Sequence, residues 1–172
     1  MRTADALLMV FGLPLGGHKM DCIVRLSIEL VPRGAWFRNL RSLLPVEQWN
    51  SLRKATYRRV GYRCEICLGK GTRHPVECHE KWEYDDKHHI AKLIGLYGLC
   101  PACHECKHIG LAQVKGRLHQ ARKHLADVNG VSEDEAAMMI YDAFQVWERR
   151  SEHDWDVDIS WASKAMCEQE QP

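Results

Sequence analysis

Six of the eight cysteines and six of the ten histidines of this 172-residue chain fall between residues 64 and 108. Cys64-Glu65-Ile66-Cys67 and Cys100-Pro101-Ala102-Cys103 are two C-x2-C pairs. Each presents two thiolates from one tight turn, and two such turns meeting in space form the closed four-sulfur set that a structural Zn2+ prefers. Read as disulfides, the same residues would need an oxidising compartment; paired beside histidines, they point instead to a reducing, metal-supplying cell interior. Between the pairs lies Glu77-Cys78-His79-Glu80, within a segment, 75–82, that reads as a short strand. After them come His104 and His108, on a helix whose first turn suits Pro101. Residues four apart on a helix share one face, so the two imidazoles can hold one ion against a group from the strand.

From about Arg63 to Ile109 these motifs, and above all Leu99-Cys100-Pro101-Ala102-Cys103-His104-Glu105-Cys106-Lys107-His108 followed by a chain turn at Gly110, resemble the HNH endonuclease family. The resemblance implies an α+β fold with a ββα-metal core: a hairpin carrying a catalytic His, a helix carrying metal ligands, and a zinc clamp on Cys64, Cys67, Cys100 and Cys103. It implies hydrolysis of phosphodiester bonds in nucleic acid, with DNA the expected substrate and 5′-phosphate and 3′-hydroxyl products. His79 aligns with the general base or with the first metal ligand; in the second case Glu80 stands where the base would be. A carboxylate serves as base only with a raised pKa or a metal-activated water, which favours His79. His104 and His108, with Glu77, would hold one divalent ion, Mg2+, Mn2+, Ni2+ or Zn2+.

Gly95 stands where the family carries an Asn, and this departure opens a second reading, a zinc-stabilised nucleic-acid- or protein-binding module without catalysis. A third reading is a zinc-dependent deaminase, because Cys78-His79-Glu80 with Cys100 and Cys103 imitates its zinc and proton-shuttle residues. That reading leaves Cys64 and Cys67 unused and finds Leu99 where a Pro is wanted. Asp86-Lys87-His88-His89-Ile90 imitates the family's His-His-Ile signature but lies too close to Cys100 and reads as a polar loop.

The formal charge of +1 hides a split: residues 1–124 hold 21 Lys+Arg against 11 Asp+Glu, and residues 125–172 hold 3 against 12. A basic body suits a polyanion, and the acidic C-terminal part offers a surface to a protein partner. Candidate phosphate contacts are Arg53, Lys54, Arg58 and Arg59 on one helix, then Lys107, Lys115, Arg117, Arg122 and Lys123. The bland alternative is pairing of these charges within the chain.

The elements that must position these groups follow from periodicity. Residues 1–19 hold an apolar run, Ala6 to Leu15, too short and too interrupted by Gly and Pro for a signal peptide; they read as a loosely held extension, and nothing approaches the ~20 apolar residues of a membrane span. Residues 22–31 alternate like a half-buried strand. Trp36, Phe37 and Leu40 form an aromatic patch better suited to core packing than to base stacking. A helix is expected over 45–60 with Gly61 as its left-handed cap, another over 111–129 with a stripe from Leu111 to Val128, and a third behind the capping box Ser132–Glu135, with Met138 and Met139 as core filler. Residues 155–161 alternate as a last strand, expected to pair antiparallel with 24–30. Cys22 and Cys167 read as small apolar residues, while Cys106 is a possible replacement for a knuckle ligand. The organisation expected is an extension (1–19), a strand and basic helix (20–62), the zinc core (63–110), and C-terminal helices with a final strand (111–172), flanked by a small antiparallel sheet and forming one cooperative unit.

Overall fold

The computed structural model describes residues 25–169, so Cys22, Val24 and the extension lie outside the described residues. The fold is α+β, and its organising element is a hairpin: β1 (Glu77–Asp85) pairs antiparallel with β2 (Ile90–Leu99). The Asp86–His89 segment closes it as a turn. Asp85 Oδ1 accepts from the backbone N–H of Lys87 and of His88, and His89 takes the left-handed conformation at φ 53°. Opposite faces of β1 then point to different layers. Cys78 and Trp82 join a core with Leu40, Leu52, Leu93 and Ala162, whereas His79 faces the helices that follow the second knuckle.

On the first face pack α1 (Leu40–Leu43), α2 (Val46–Arg59) and α7 (Ser160–Gln169). On the other lie α3 (Pro101–Lys107), α4 (Ile109–Val114), α5 (Leu118–Asn129) and α6 (Glu133–Arg150), around a core of Leu26, Leu99, Cys106, Ile109, Leu125 and Ile140. α2 carries Pro45 at its N-cap, and Gly61 adopts φ 57° just beyond it. The Ser132–Glu135 capping box forms, and Gly130 caps α5 at φ 67°. No helix among the described residues is long and apolar enough to cross a membrane.

Several expectations are corrected. Residues 25–32 form no strand: Asn129 accepts from the backbone N–H of Arg25 and Leu26 and donates to Leu26 O, all at 2.9 Å, so a side-chain amide replaces a ladder while Leu26 stays buried. The helix expected over 111–129 is broken by Gly116 at φ 69° into α4 and α5, and the turn expected at Gly110 falls at His108. The sheet is mixed: the last strand shrinks to β3 (Asp156–Asp158), which pairs parallel with Ile90–Lys92, and Ser160 and Trp161 enter α7. Leu111, Val114 and Met138 are exposed rather than core, as are Trp36 and Phe37, of which only the neighbouring Leu40 is buried.

Gly98 marks where α2 meets the hairpin. A Cβ there would lie 2.6 Å from Val60 Cγ2, closer than carbon atoms tolerate. Gly98→Ala is therefore expected to cost about 1–3 kcal/mol by overpacking, measured as a lowered midpoint in urea denaturation, whereas Gly95→Ala, with open space around it, should leave the midpoint unchanged.

Candidate metal centres

Two clusters flank α3. In the first, one sulfur from each of Cys64, Cys67, Cys100 and Cys103 lies within 4.8 Å of the others. The first knuckle is closed by hydrogen bonds from Cys64 N to Gly69 O and from Leu68 N to Cys64 O. It is pinned to the end of β2, just ahead of the second knuckle, by Glu65, whose N–H donates to Gly98 O and whose Oε2 accepts from Gly98 N. The second knuckle forms the start of α3, with Cys100 as N-cap accepting from Cys103 N and Pro101 in the first turn.

Cys67 Sγ and Cys100 Sγ stand 3.6 Å apart. That is close to the roughly 3.8 Å edge of a tetrahedron with Zn–S bonds of about 2.3 Å, and far beyond a disulfide's ~2.05 Å. Hydrogen bonds from Cys100 and Cys103 push the Cys64 thiol well below its ordinary range. Cys103 is driven up by its contacts with Cys100 and Cys64; for Cys100 the hydrogen bond with Cys103 lowers the pKa, but the hydrogen bond with Cys64 and burial outweigh it and raise the thiol to about 11. Sulfurs this close cannot all ionise unaided; a dication would let them. The four residues fit Zn2+.

His124, which the sequence did not single out, places Nε2 3.1 Å from Cys103 Sγ, where an N–H stabilises a thiolate. Cys106 lies outside the cluster: its Sγ donates to Ala121 O, and burial raises its thiol to about 12. Cys78 also stands apart, on the opposite face of β1, raised by burial to about 12. The cysteine pairing a deaminase would need is therefore not assembled.

The second cluster joins His79 of β1 to His104 of α3 and His108 at its C-cap, one ring nitrogen of each within 4.8 Å of the others. Ring centroids are 4.7–5.2 Å apart. Burial, then the neighbouring His79, lowers the pKa of His104 and of His108, the latter to about 4, so both present neutral lone pairs at pH 7. His104 Nδ1 is held by Glu77 Oε2 at 2.5 Å, which leaves Nε2 to the cluster; Glu77 Oε1 meets His74 Nε2 at 2.6 Å. Glu77, expected beside the ion, thus orients a ligand. Glu80 faces the other layer, accepting from Leu40 N and Trp82 Nε1.

A further carboxylate reaches the triad from residues 25–32. Glu29 Oε2 lies 3.4 Å from His79 Nε2, and among the described residues neither atom has a hydrogen-bond partner although both are buried. Its other oxygen accepts from Lys107 Nζ, a cation only 1% exposed that also donates to Ser27 Oγ. Lys107 is consequently no phosphate contact: its charge is consumed internally. Buried polar atoms without partners are rare in folded proteins, and a cation held by the three imidazoles would give the His79 nitrogen a partner. The donor set fits a divalent ion.

The other expected phosphate contacts divide. Arg59 pairs with Glu65, Arg117 with Glu105, Arg122 with Glu133 and Lys123 with Asp127, so pairing within the chain absorbs part of the basic charge. Arg53 donates to Asn50, while Lys54, Arg58 and Lys115 are exposed. A cleft of about 1160 Å³ opens beside the triad, bordered by His79, His104 and His108 and walled by Trp36, Phe37, Trp49, Trp82, Phe144 and Trp147.

Because Glu77 fixes the orientation of His104, Glu77→Gln is expected to weaken divalent-ion binding at the triad about 10- to 100-fold. Cobalt titration followed by visible absorption measures this, and the zinc content of the four-cysteine cluster should not change. No family model, no curated protein and no solved structure matches this chain.

Proposed function

We propose that the chain is a metal-dependent nuclease of the HNH type, cleaving phosphodiester bonds of nucleic acid, with DNA as the first substrate to test. The observation that carries this reading is the convergence of His79 from the hairpin with His104 and His108 from the following helix, beside a four-cysteine cluster that ties the loop after α2 to the start of that helix. The order hairpin, knuckle, helix is that of a ββα-metal core.

An ion held by His79, His104 and His108 would supply Lewis-acid polarisation of the scissile phosphate and neutralise the charge that develops on it. The chain's own residues then have separate tasks. Glu77 holds His104 in one tautomer. Lys107 compensates the buried Glu29, whose second oxygen faces His79 and holds that ring in place. The zinc clamp fixes the first turn of α3, and with it the position of His104.

The convergence favours His79 as a ligand over His79 as the general base. Gly95, in place of the family's Asn, sits in β2 opposite Lys81 with open space around it. A binding module remains the second reading, since an aromatic cleft serves it equally well.

The test is nicking of supercoiled plasmid with Mg2+, Mn2+, Ni2+ or Zn2+ added singly to zinc-loaded protein. Conversion to open-circular product with at least one ion is expected. No cleavage of plasmid, single-stranded DNA or RNA with any of them would sink the nuclease reading.

A further inference from the structure

The segment ahead of α1 is built in an unusual way. Phe37 is 85% exposed and holds φ 65°, a conformation that a bulky L-residue adopts only under strain. Trp36 is 48% exposed, stacks on Trp147 with centroids 6.4 Å apart and planes at 23°, and meets Phe37 edge to face. Its Nε1 and that of Trp147 both donate to Val31 O, which locks the two indoles in place. These rings face the cleft that ends at His79, His104 and His108.

Exposed rings, one on a strained backbone and one held by a hydrogen bond, do not stabilise this fold by burial. They offer π-faces. The charge along the cleft is positive: Arg38, which donates to Trp155 O, and the exposed Arg41 line it, and Arg33 lies over Trp147 at 4.4 Å beside it. None of the three is paired with a carboxylate among the described residues. The two carboxylates that border the cleft are engaged, Glu29 with Lys107 and Glu80 with Leu40 N and Trp82.

We propose that this platform takes unpaired nucleobases, so that the occupant of the cleft is a single-stranded nucleic acid whose bases stack on Trp36 and Phe37 while its backbone runs past the arginines to the histidine triad. The assignment deepens the nuclease reading and rests on it for the role of the triad. Every base has a π-face, and a duplex keeps its faces stacked internally, so the platform discriminates strand state rather than sequence.

The experiment measures anisotropy of labelled oligo(dT), oligo(rU) and a duplex of equal length with the full chain, without added divalent ion. One of the two single strands should bind at least tenfold more tightly than the duplex, the better of them naming the sugar. Trp36→Ala and Phe37→Ala should each weaken that binding about 5- to 150-fold, the range for losing one stacked base, with duplex binding and zinc content unchanged. Phe37→Gly separates function from folding: by relieving the strained φ it should raise the melting temperature while weakening the single strand as Phe37→Ala does.

Equal affinity for strand and duplex, variants that bind single strands like the parent, or no nucleic-acid binding at all would overturn the proposal; the last would leave the cleft to an apolar protein segment. Tight, Phe37-dependent binding without nicking keeps the platform and removes the nuclease. Nicking without strand preference does the reverse.

Discussion

Cys103→Ser is expected to yield protein without its tightly held Zn2+ and without a cooperative unfolding transition. Cys103 is fully buried, meets the sulfurs of Cys100 and Cys64 and His124, and belongs to the core that also contains Leu26, Leu99 and Leu125. A serine hydroxyl is a poor zinc ligand at neutral pH. Structural zinc sites contribute about 10–16 kcal/mol of apparent binding free energy, comparable with or larger than the roughly 5–15 kcal/mol total stability of an ordinary domain. Removing one ligand should therefore take the fold with it. Zinc content by elemental analysis and thermal unfolding by circular dichroism test this, with Cys106→Ser as the control: it lies three residues on, outside the cluster, and should keep the metal. A well-folded, zinc-free Cys103→Ser protein would remove the structural role assigned to the clamp.

His104→Ala is the second large effect, and it should be of a different kind. The side chain supplies one of three converging nitrogens and little of the core, so the clamp should stay loaded and the melting temperature of the zinc-bound protein should change little. The divalent ion at the triad should be lost, and plasmid nicking should fall by about 10²- to 10³-fold or more, the scale on which removal of a charge-stabilising group acts. His79→Ala decides between two assignments. Loss of ion binding by calorimetry identifies His79 as a ligand; retained binding with lost turnover makes it the base.

Much of the metal chemistry was legible because it is local. Two C-x2-C spacings and a helical i, i+4 histidine pair need only a turn and a helix to become sites, and Pro101 announces that helix. The partners supplied from elsewhere were not legible. Glu29 reaches His79 across fifty residues, Lys107 looks like any surface lysine, and His124 meets Cys103 only because α5 crosses α3. The second strand of the hairpin was hidden for another reason. The pairing register slips between Lys81 and Trp82, leaving Ile94 as the extra residue opposite them, and this breaks the alternation that marks a strand. Conversely, the alternation expected over 24–30 was real in its burial of Leu26, but the described residues 25–30 form no strand and Asn129 satisfies the backbone at Arg25 and Leu26. Periodicity reports which side chains face a core, not what accepts their amides.

Asn129 is also a clasp in time. It closes contacts to Arg25 and Leu26 across more than a hundred residues of chain, whereas the hairpin turn and both knuckles close across fewer than ten. Non-local closures carry the larger loop-entropy cost and form late. The order of assembly that results is hairpin and zinc knuckles first, clasp last. Opening of that clasp would let residues 25–32 swing away, taking Glu29 from His79 while the imidazoles stay together. Hydrogen exchange at the Arg25 and Leu26 amides should report that opening directly, and its rate is the rate at which the histidine triad loses its only facing carboxylate from this segment.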